Sequence, residues 1–431
     1  MKDSEILGSS DYIRLVVWIA VMAVPVGLLT LVYLLFYKGG TQLVWETIPE
    51  ALSISRPVYT ILVATLGGLL VGLGLRYLGV RHGESLQKEM ETGRVPVAGV
   101  PGLIVTALVG LISGASLGPE GPLGHMGAAF GSWFSARLKL SPEKSRIMTL
   151  SGLSAAFGGF LVEALGAAFM SMEFTGSLTY PIYANMIAAT VSGLIGALVV
   201  FSFTSILPPA LPFPEYAGFE WMHLLYAVIF GLAGLAMAFL FKIVFRSVTR
   251  LVKPLDRWPL LKPVAGGLIF GLVGAWLPLT LHSGEGELHT ILVEGAQIGA
   301  VMLLVLAVVK LFTLSVCMSS GFPGGFVFPL FFSAASLGYA IHLLFPFIPL
   351  SVAIIGTMAG IGGAVMRMPF TVLLILISLS NRALLPVSTI AAFTGFLSAT
   401  VLEAGNARRA MYQAAQDRSD VYTSSEPETG D

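Results

Sequence analysis

The chain has 431 residues, of which 55% are hydrophobic and only 11% are charged. Because soluble domains carry roughly a quarter charged residues, this composition excludes a protein with an ordinary water-exposed surface. The 24 lysines and arginines balance the 24 aspartates and glutamates, so overall basicity gives no support for nucleic-acid binding. The single cysteine, Cys317, excludes an intrachain disulfide.

Long apolar segments predict the helices that cross the membrane, since a hydrocarbon core of about 30 Å needs roughly 20 apolar residues in a straight helix. The first group of segments comprises residues 15–37, 58–75, 95–117, 147–162 and 182–203. The second group comprises residues 222–241, 263–281, 298–309, 326–344, 351–365, 371–380 and 384–401. The pattern predicts an all-α membrane protein in which some helices are tilted or cross only part of the bilayer.

The two groups of segments suggest two structural repeats. We expect a cytoplasmic N-terminal tail over residues 1–11, a first transmembrane repeat over 12–205, a linker over 206–221, a second transmembrane repeat over 222–412 and a polar C-terminal tail over 413–431. The tail ends in TSSEPETGD, a composition that predicts disorder.

Loop charges indicate an orientation. The loops 76–94, 137–146 and 242–262 are rich in lysine and arginine and are expected to face the cytoplasm, whereas the acidic stretch 282–294 is expected on the other side. That stretch contains His282, Glu285, Glu287 and His289. Its glycines and the lack of a helical histidine pair predict a solvated loop between spans rather than a metal site.

Two apolar segments are interrupted by glycine and proline, at residues 118–122 (GPEGP) and 321–329 (GFPGGFVFP). Broken helices at matching positions of two halves indicate a substrate site at the repeat interface. Each interruption precedes a new apolar run, so it would form a helix N-terminus whose free N–H groups and positive dipole end attract anions. Amides bind an anion more weakly than a buried lysine would, which suits a transport pathway. Ordinary kinks are the alternative interpretation.

Glu120 lies between the two Gly-Pro elements of the first interruption. A carboxylate deep in an apolar region is costly unless it has a function. At the mouth of an anion site it would imitate the anion when it is ionised and move away when it is protonated. We therefore predict that Glu120 is a gate, a proton carrier or both; the alternative is a glutamate facing water at the membrane edge.

These segments resemble the CLC family of chloride channels and proton-coupled chloride exchangers. Residues 118–122 resemble the family's GREGP motif, and residues 319–329, SSGFPGGFVFP, resemble its SSGxPGGxFxP segment together with the preceding KLFT at 310–313. Residues 356–371, which include Arg367-Met-Pro, are similar to its GMGAxxAxxxRAPLT stretch. The similarity runs in the same order from about residue 67 to residue 412.

The resemblance implies a CLC-type fold of about 18 tilted and partial helices in two inverted repeats, and a homodimer in which each subunit has its own anion pathway. It makes Glu120 the gating, proton-linked glutamate. It also implies that main-chain amides at the two interruptions and one tyrosine hydroxyl hold the anion. The implied anion-binding positions are Gly118, Pro119, Gly121, Gly325, Phe326, Val327 and Tyr412.

Two departures from the family pattern concern mechanism. The family's inner motif GSGIP corresponds here to RHGES at residues 81–85, with His82 at the serine position and Gly83 as the matching glycine. Where exchangers have a pair of glutamates, this chain has Glu173 followed by Phe174, a pattern similar to that of the channels. Because a phenyl ring cannot carry a proton, tight exchange by that route is in doubt; Glu163 and Glu173 are the candidate proton relays.

The sequence therefore predicts a transport protein for chloride or a similar small anion, without a cofactor, in the cell (inner) membrane. A channel or weakly coupled carrier is the first hypothesis, and a proton-coupled chloride exchanger is the second. A broken-helix transporter of another solute is a more remote third. No motif for ATP binding or for a catalytic nucleophile occurs in the chain, so we do not expect an enzyme.

Overall fold

The computed structural model describes residues 9–52, 54–80, 86, 89–90, 94–161, 163–174, 182–203, 211–216, 218–380 and 382–423. The side chains of Leu52, Phe174 and residues 405–423 lie outside this description. The described part contains fifteen long α-helices, here α1–α15, and one isolated β-bridge. The predicted all-α fold is thus confirmed.

The helices of the first half are α1 Ser10–Gln42, α2 Arg56–Tyr77, α3 Val100–Ile112, α4 Glu120–Arg137, α5 Pro142–Leu161, α6 Ala164–Phe174 and α7 Ile182–Phe201. Those of the second half are α8 Met222–Val252, α9 Leu261–Trp276, α10 Glu285–Ile298, α11 Ala300–Ser319, α12 Val327–Leu344, α13 Leu350–Met366, α14 Pro369–Leu379 and α15 Leu385–Thr423. Beyond α1 the chain continues through a π-turn at Leu43–Thr47 and a short helix at Ile48–Leu52.

Seven helices of the described part are long and apolar enough to cross a bilayer, and four shorter apolar helices accompany them. The shorter ones are α3, α9, α13 and α14. Short helices in a membrane protein must end inside the protein or beside water, because backbone groups in lipid need partners. The segments interrupted by glycine and proline therefore lie within the bundle.

The two halves repeat one packing pattern. In the first half α1, α5 and α7 pack on one another, and in the second half α8, α13 and α15 do the same. Helices at equivalent positions also meet across the halves, since α2 packs on α9 and α6 packs on α14. The starts of α4 and α12 are joined by the β-bridge between Gly118 and Gly325. This arrangement places the two interruptions at the interface of the repeats.

Glycines allow the helices to approach closely. A methyl group on Gly127 of α4 would collide with the carbonyl oxygen of Gly152 in α5, and a methyl group on Gly152 would collide with the carbonyl oxygen of Gly127. Lipid-exposed helices gain little from the hydrophobic effect on association, so close van der Waals contact through small residues holds them together. Close helix packing of this kind is one use of the 49 glycines in the chain.

One prediction from the sequence is wrong. The stretch 285–298 is the helix α10 rather than a solvated loop, and the Glu287 Oε2 caps its start by accepting the Gly284 N–H at 3.1 Å. Helix α15 continues to Thr423, and the disorder predicted for the end of the tail concerns mainly residues 424–431, which lie outside the described residues. Residues 407–417, ARRAMYQAAQD, consist mainly of good helix formers.

Candidate functional site

The two interrupted segments meet in the middle of the molecule. The Gly118 N–H donates to the Gly325 carbonyl at 2.9 Å, and the Gly325 N–H donates to the Gly118 carbonyl at 2.7 Å. Helix α4 starts two residues after Gly118, and helix α12 starts two residues after Gly325. Two helix N-termini with their positive dipole ends therefore converge on one place.

Glu120 lies folded over this junction. Its side chain is only 5% exposed, and the Val327 N–H donates to its Oε1 at 2.7 Å. The N–H groups of Phe328 and of Glu120 itself also face the carboxylate. The other carboxylate oxygen, Oε2, has no hydrogen-bond partner within the described residues. A buried carboxylate is thus held by main-chain amides at the start of α12.

Glycine is required around the carboxylate. A methyl group on Gly118 or on Gly325 would overlap the Glu120 carboxylate. The carboxylate therefore fits in this position because both residues lack a side chain. Phe326 precedes α12 as its N-cap residue, and Pro119 has the same place before α4. Main-chain N–H groups with space beside them can hold one negative group, whether it is a side-chain carboxylate or a free anion.

Gly121 provides a test of the close contact between the two helix starts. A methyl group there would lie 2.9 Å from the Gly324 carbonyl carbon and 3.2 Å from the Gly325 nitrogen, both of which are main-chain atoms. We expect Gly121→Ala to push the two starts apart and to lower anion flux about tenfold, in line with overpacking costs of about 1–3 kcal/mol.

The matched control for this substitution is Gly39→Ala in α1, because a methyl group at Gly39 meets no atom within 4 Å. The measurement is the initial rate of anion efflux from vesicles containing equal amounts of folded protein. Equal rates for Gly121→Ala and Gly39→Ala would contradict the prediction.

The two candidate proton relays have their carboxylates on helix amides. Glu163 precedes α6, and its Oε1 accepts the Leu165 N–H at 2.9 Å while its Oε2 accepts the Gly166 N–H. Glu173 reaches across the repeat interface to the start of α14, where its Oε2 accepts the Thr371 N–H at 2.7 Å. Both carboxylates therefore cap helices, and their role in proton transfer stays a prediction.

Several residues predicted from the sequence cannot be placed. His82 and Gly83 lie outside the described residues. Phe174 ends α6 and Tyr412 lies in α15, but their side chains are outside the description. The inner side of the predicted anion site therefore stays a prediction from the sequence.

A buried lysine holds the chain segment that leads into α10. Lys310 of α11 is 0% exposed, and its Nζ donates to the carbonyl oxygens of Leu281 at 2.7 Å, His282 at 2.9 Å and Thr280 at 3.3 Å. The same Nζ lies 5.0 Å from the centre of the Phe332 ring. The lysine thus ties the segment that leads into α10 to the helix before the second interruption.

The sequence reasoning treated Lys310 only as part of a motif and did not identify the tyrosines of α1. Tyr33 and Tyr37 are spaced by one helical turn in a run of aliphatic residues, and both interact electrostatically with Glu120. That spacing is a signal in the sequence, but it does not reveal what the hydroxyl groups face.

Comparisons with known proteins match most of the chain to one family. Residues 67–400 match the family described as voltage gated chloride channel. An Escherichia coli O139:H28 protein with the provisional name ion-transport protein YfeO is 29% identical over 360 residues, which cover 81% of this chain and 84% of the relative.

Solved structures share the fold. A slow cyanobacterial Cl−/H+ antiporter has a TM-score of 0.76 at 20% identity, with 90% of this chain and 95% of that chain covered. A CLC-type fluoride/proton antiporter has a TM-score of 0.72 at 18% identity, with 89% and 94% covered. The similarity extends over both halves of the bundle.

Proposed function

Because the chain belongs to the voltage gated chloride channel family, known as CLC, we propose that it passes chloride or a similar small anion through the junction of α4 and α12, and that Glu120 is the gate. The hydrogen bond of 2.7 Å from the Val327 N–H to the Glu120 Oε1 carries this proposal. On this proposal the ionised carboxylate occupies the place that the anion takes when the gate is open.

Protonation of Glu120 would open this gate. The ionised carboxylate makes a charge-assisted hydrogen bond with the Val327 amide, which is roughly twice as strong as a neutral one. The protonated form loses that advantage and leaves the amide to the anion. Because amides and helix dipoles offer only partial charges, the anion can also leave again.

The first hypothesis is a channel or weakly coupled carrier. It is supported by Phe174, which stands where the exchangers of the family have a second glutamate. The second hypothesis is a proton-coupled exchanger. It is supported by the names of two proteins of the same fold, a Cl−/H+ antiporter and a fluoride/proton antiporter, and by the placement of Glu120. The remote alternative, transport of another solute such as a cation, is disfavoured because acidic residues are scarce inside the apolar segments.

Proton movement distinguishes the two hypotheses. We expect vesicles containing the purified protein to release chloride down its gradient with little or no uphill movement of protons, since Phe174 offers no proton-carrying group. Chloride and pH electrodes record both fluxes, and a parallel series with fluoride identifies the preferred anion. Sustained uphill proton movement would favour the exchanger over the channel.

The family resemblance and the apolar helices also support an oligomeric state and a cellular location. We expect a homodimer in the cell (inner) membrane, with one anion pathway per subunit. The support for the dimer is the family resemblance, and the support for the location is the set of apolar helices together with the bacterial relatives. Cross-linking of the protein in native membranes tests both.

A further inference from the structure

A row of hydroxyl groups on α1 leads away from Glu120. Tyr33, Tyr37 and Thr41 follow one another at intervals of four residues, which places them on one face of the helix. The Tyr33 side chain is only 3% exposed, whereas Tyr37 is partly exposed. The row thus runs from the buried centre of the molecule towards the end of α1.

The buried hydroxyl group of Tyr33 is not used in any hydrogen bond within the described residues. The Tyr33 side chain belongs to the main apolar core. Leaving a buried hydroxyl unpaired costs free energy. The Glu120 Oε2 is also unpaired, and the charge of Glu120 acts on Tyr33. Because α1 packs against α4, the two groups belong to the same part of the bundle.

Tyr37 connects this pair with the end of the bundle. Its hydroxyl lies beside the Ser283 side chain, at the segment that Lys310 holds. The charges that face Tyr37 come from Glu285 and Glu287 of α10 and from Glu120, and Lys38 interacts with Glu285. Polar and charged groups from α1 and α10 therefore lie near Tyr37.

We propose that the Tyr33 hydroxyl binds the Glu120 carboxyl group in its open position, after that group has left the Val327 amide. This inference rests on the proposed function of Glu120 as a gate and adds the partner of its open position. The protonated carboxyl donates a hydrogen bond to the Tyr33 oxygen, and the released amides accept the anion. Tyr33 is thus a positioning residue that acts through Glu120.

The consequence is a defined change in pH dependence. A hydrogen bond between Tyr33 and the displaced Glu120 carboxyl group stabilises the open position, so this position forms at a higher pH than it would without Tyr33. Tyr33→Phe removes that bond and keeps the ring. We expect anion flux at intermediate pH to fall about fivefold, and the pH for half-maximal flux to move about 0.7 unit lower, from the usual worth of one hydrogen bond.

The matched control is Tyr12→Phe. Tyr12 lies on the same helix, is also buried, and donates its hydroxyl to the Ala184 carbonyl at 2.8 Å, away from the junction. Both variants lose one buried hydroxyl, so a general effect on stability would appear in both. The assay is efflux of chloride, and of fluoride in parallel vesicles, over a series of pH values, with the melting temperature of each protein recorded.

The double variant Tyr33→Phe/Glu120→Gln tests whether Tyr33 acts through Glu120. We expect Tyr33→Phe to have no further effect on the pH profile in the Glu120→Gln background. An unchanged pH profile for Tyr33→Phe alone would overturn the inference. So would an equal loss of flux in both backgrounds, or a weaker apparent anion affinity without a shift in pH.

These results separate the inference from the function on which it rests. If Glu120→Gln keeps the pH response of the unmodified protein, the gating role of Glu120 fails whatever Tyr33→Phe does. If Glu120→Gln loses the pH response while Tyr33→Phe behaves like Tyr12→Phe, the gating role of Glu120 is supported. Only the proposal that Tyr33 binds its open position is then wrong.

Discussion

Replacing Glu120 with glutamine is expected to remove the pH dependence of anion flux and to raise the flux at neutral pH about tenfold, the difference between a charge-assisted and a neutral hydrogen bond. In the unmodified protein the ionised carboxylate competes with the anion for the Val327 amide. Acid removes its charge, so flux rises as the pH falls. A glutamine is neutral at every pH and competes weakly throughout.

Two further variants make this test specific. Glu120→Ala removes the competing group altogether and should give a flux at least as high as that of Glu120→Gln. Glu143→Gln is the control, because Glu143 is an exposed glutamate in the first turn of α5. Efflux rates from vesicles at a series of pH values provide the measurement. A pH response of normal size in Glu120→Gln would rule out the gate.

Replacing Lys310 with methionine is expected to lower the free energy of unfolding by about 3 kcal/mol, because buried carbonyls that lose their donor cost about 1–3 kcal/mol each. Methionine fills the space of the lysine stem but donates no hydrogen bond. The Thr280 carbonyl keeps the Thr313 hydroxyl at 3.2 Å. The carbonyls of Leu281 and His282 lose the ammonium group.

The control is Lys144→Met, which removes a surface ion pair of 3.1 Å with Asp11 between side chains that are 37% and 65% exposed. Pairs of this kind are worth about 0–1 kcal/mol. Thermal unfolding of the purified proteins in one detergent compares the two. Similar melting temperatures for the two variants would show that Lys310 does not hold the segment before α10.

The local parts of the site could be predicted from the sequence. Glycine and proline around Glu120 indicate a helix start, and the second interruption indicates another, because chain breaks in apolar segments depend on nearby residues alone. The structure places both helix starts where the motifs suggested. The same local reasoning failed for α10, since its glycines suggested a loop while the Glu287 side chain caps a helix that starts after Gly284.

Local sequence patterns alone could not predict the partners of the site residues. Glu120 and Val327 are separated by 207 positions, and their pairing was indicated by the family resemblance rather than by the residues near either of them. Lys310 looked like one more residue of a motif, although it holds three carbonyls from a segment about thirty residues earlier. Such contacts depend on how the helices of the two halves pack.

The amino-acid sequence by itself determined that this protein is a bundle of membrane helices with two interrupted segments and one carboxylate between glycines. Hydropathy and backbone preference act over short distances along the chain, so they can be read from it directly. The tertiary structure alone decided that the two interruptions join at Gly118 and Gly325. It also decided that Tyr33 is packed in the core with no hydrogen-bond partner for its hydroxyl in the described part of the chain. Those facts arise from the packing of distant helices, which brings amides and hydroxyls together only in the folded chain.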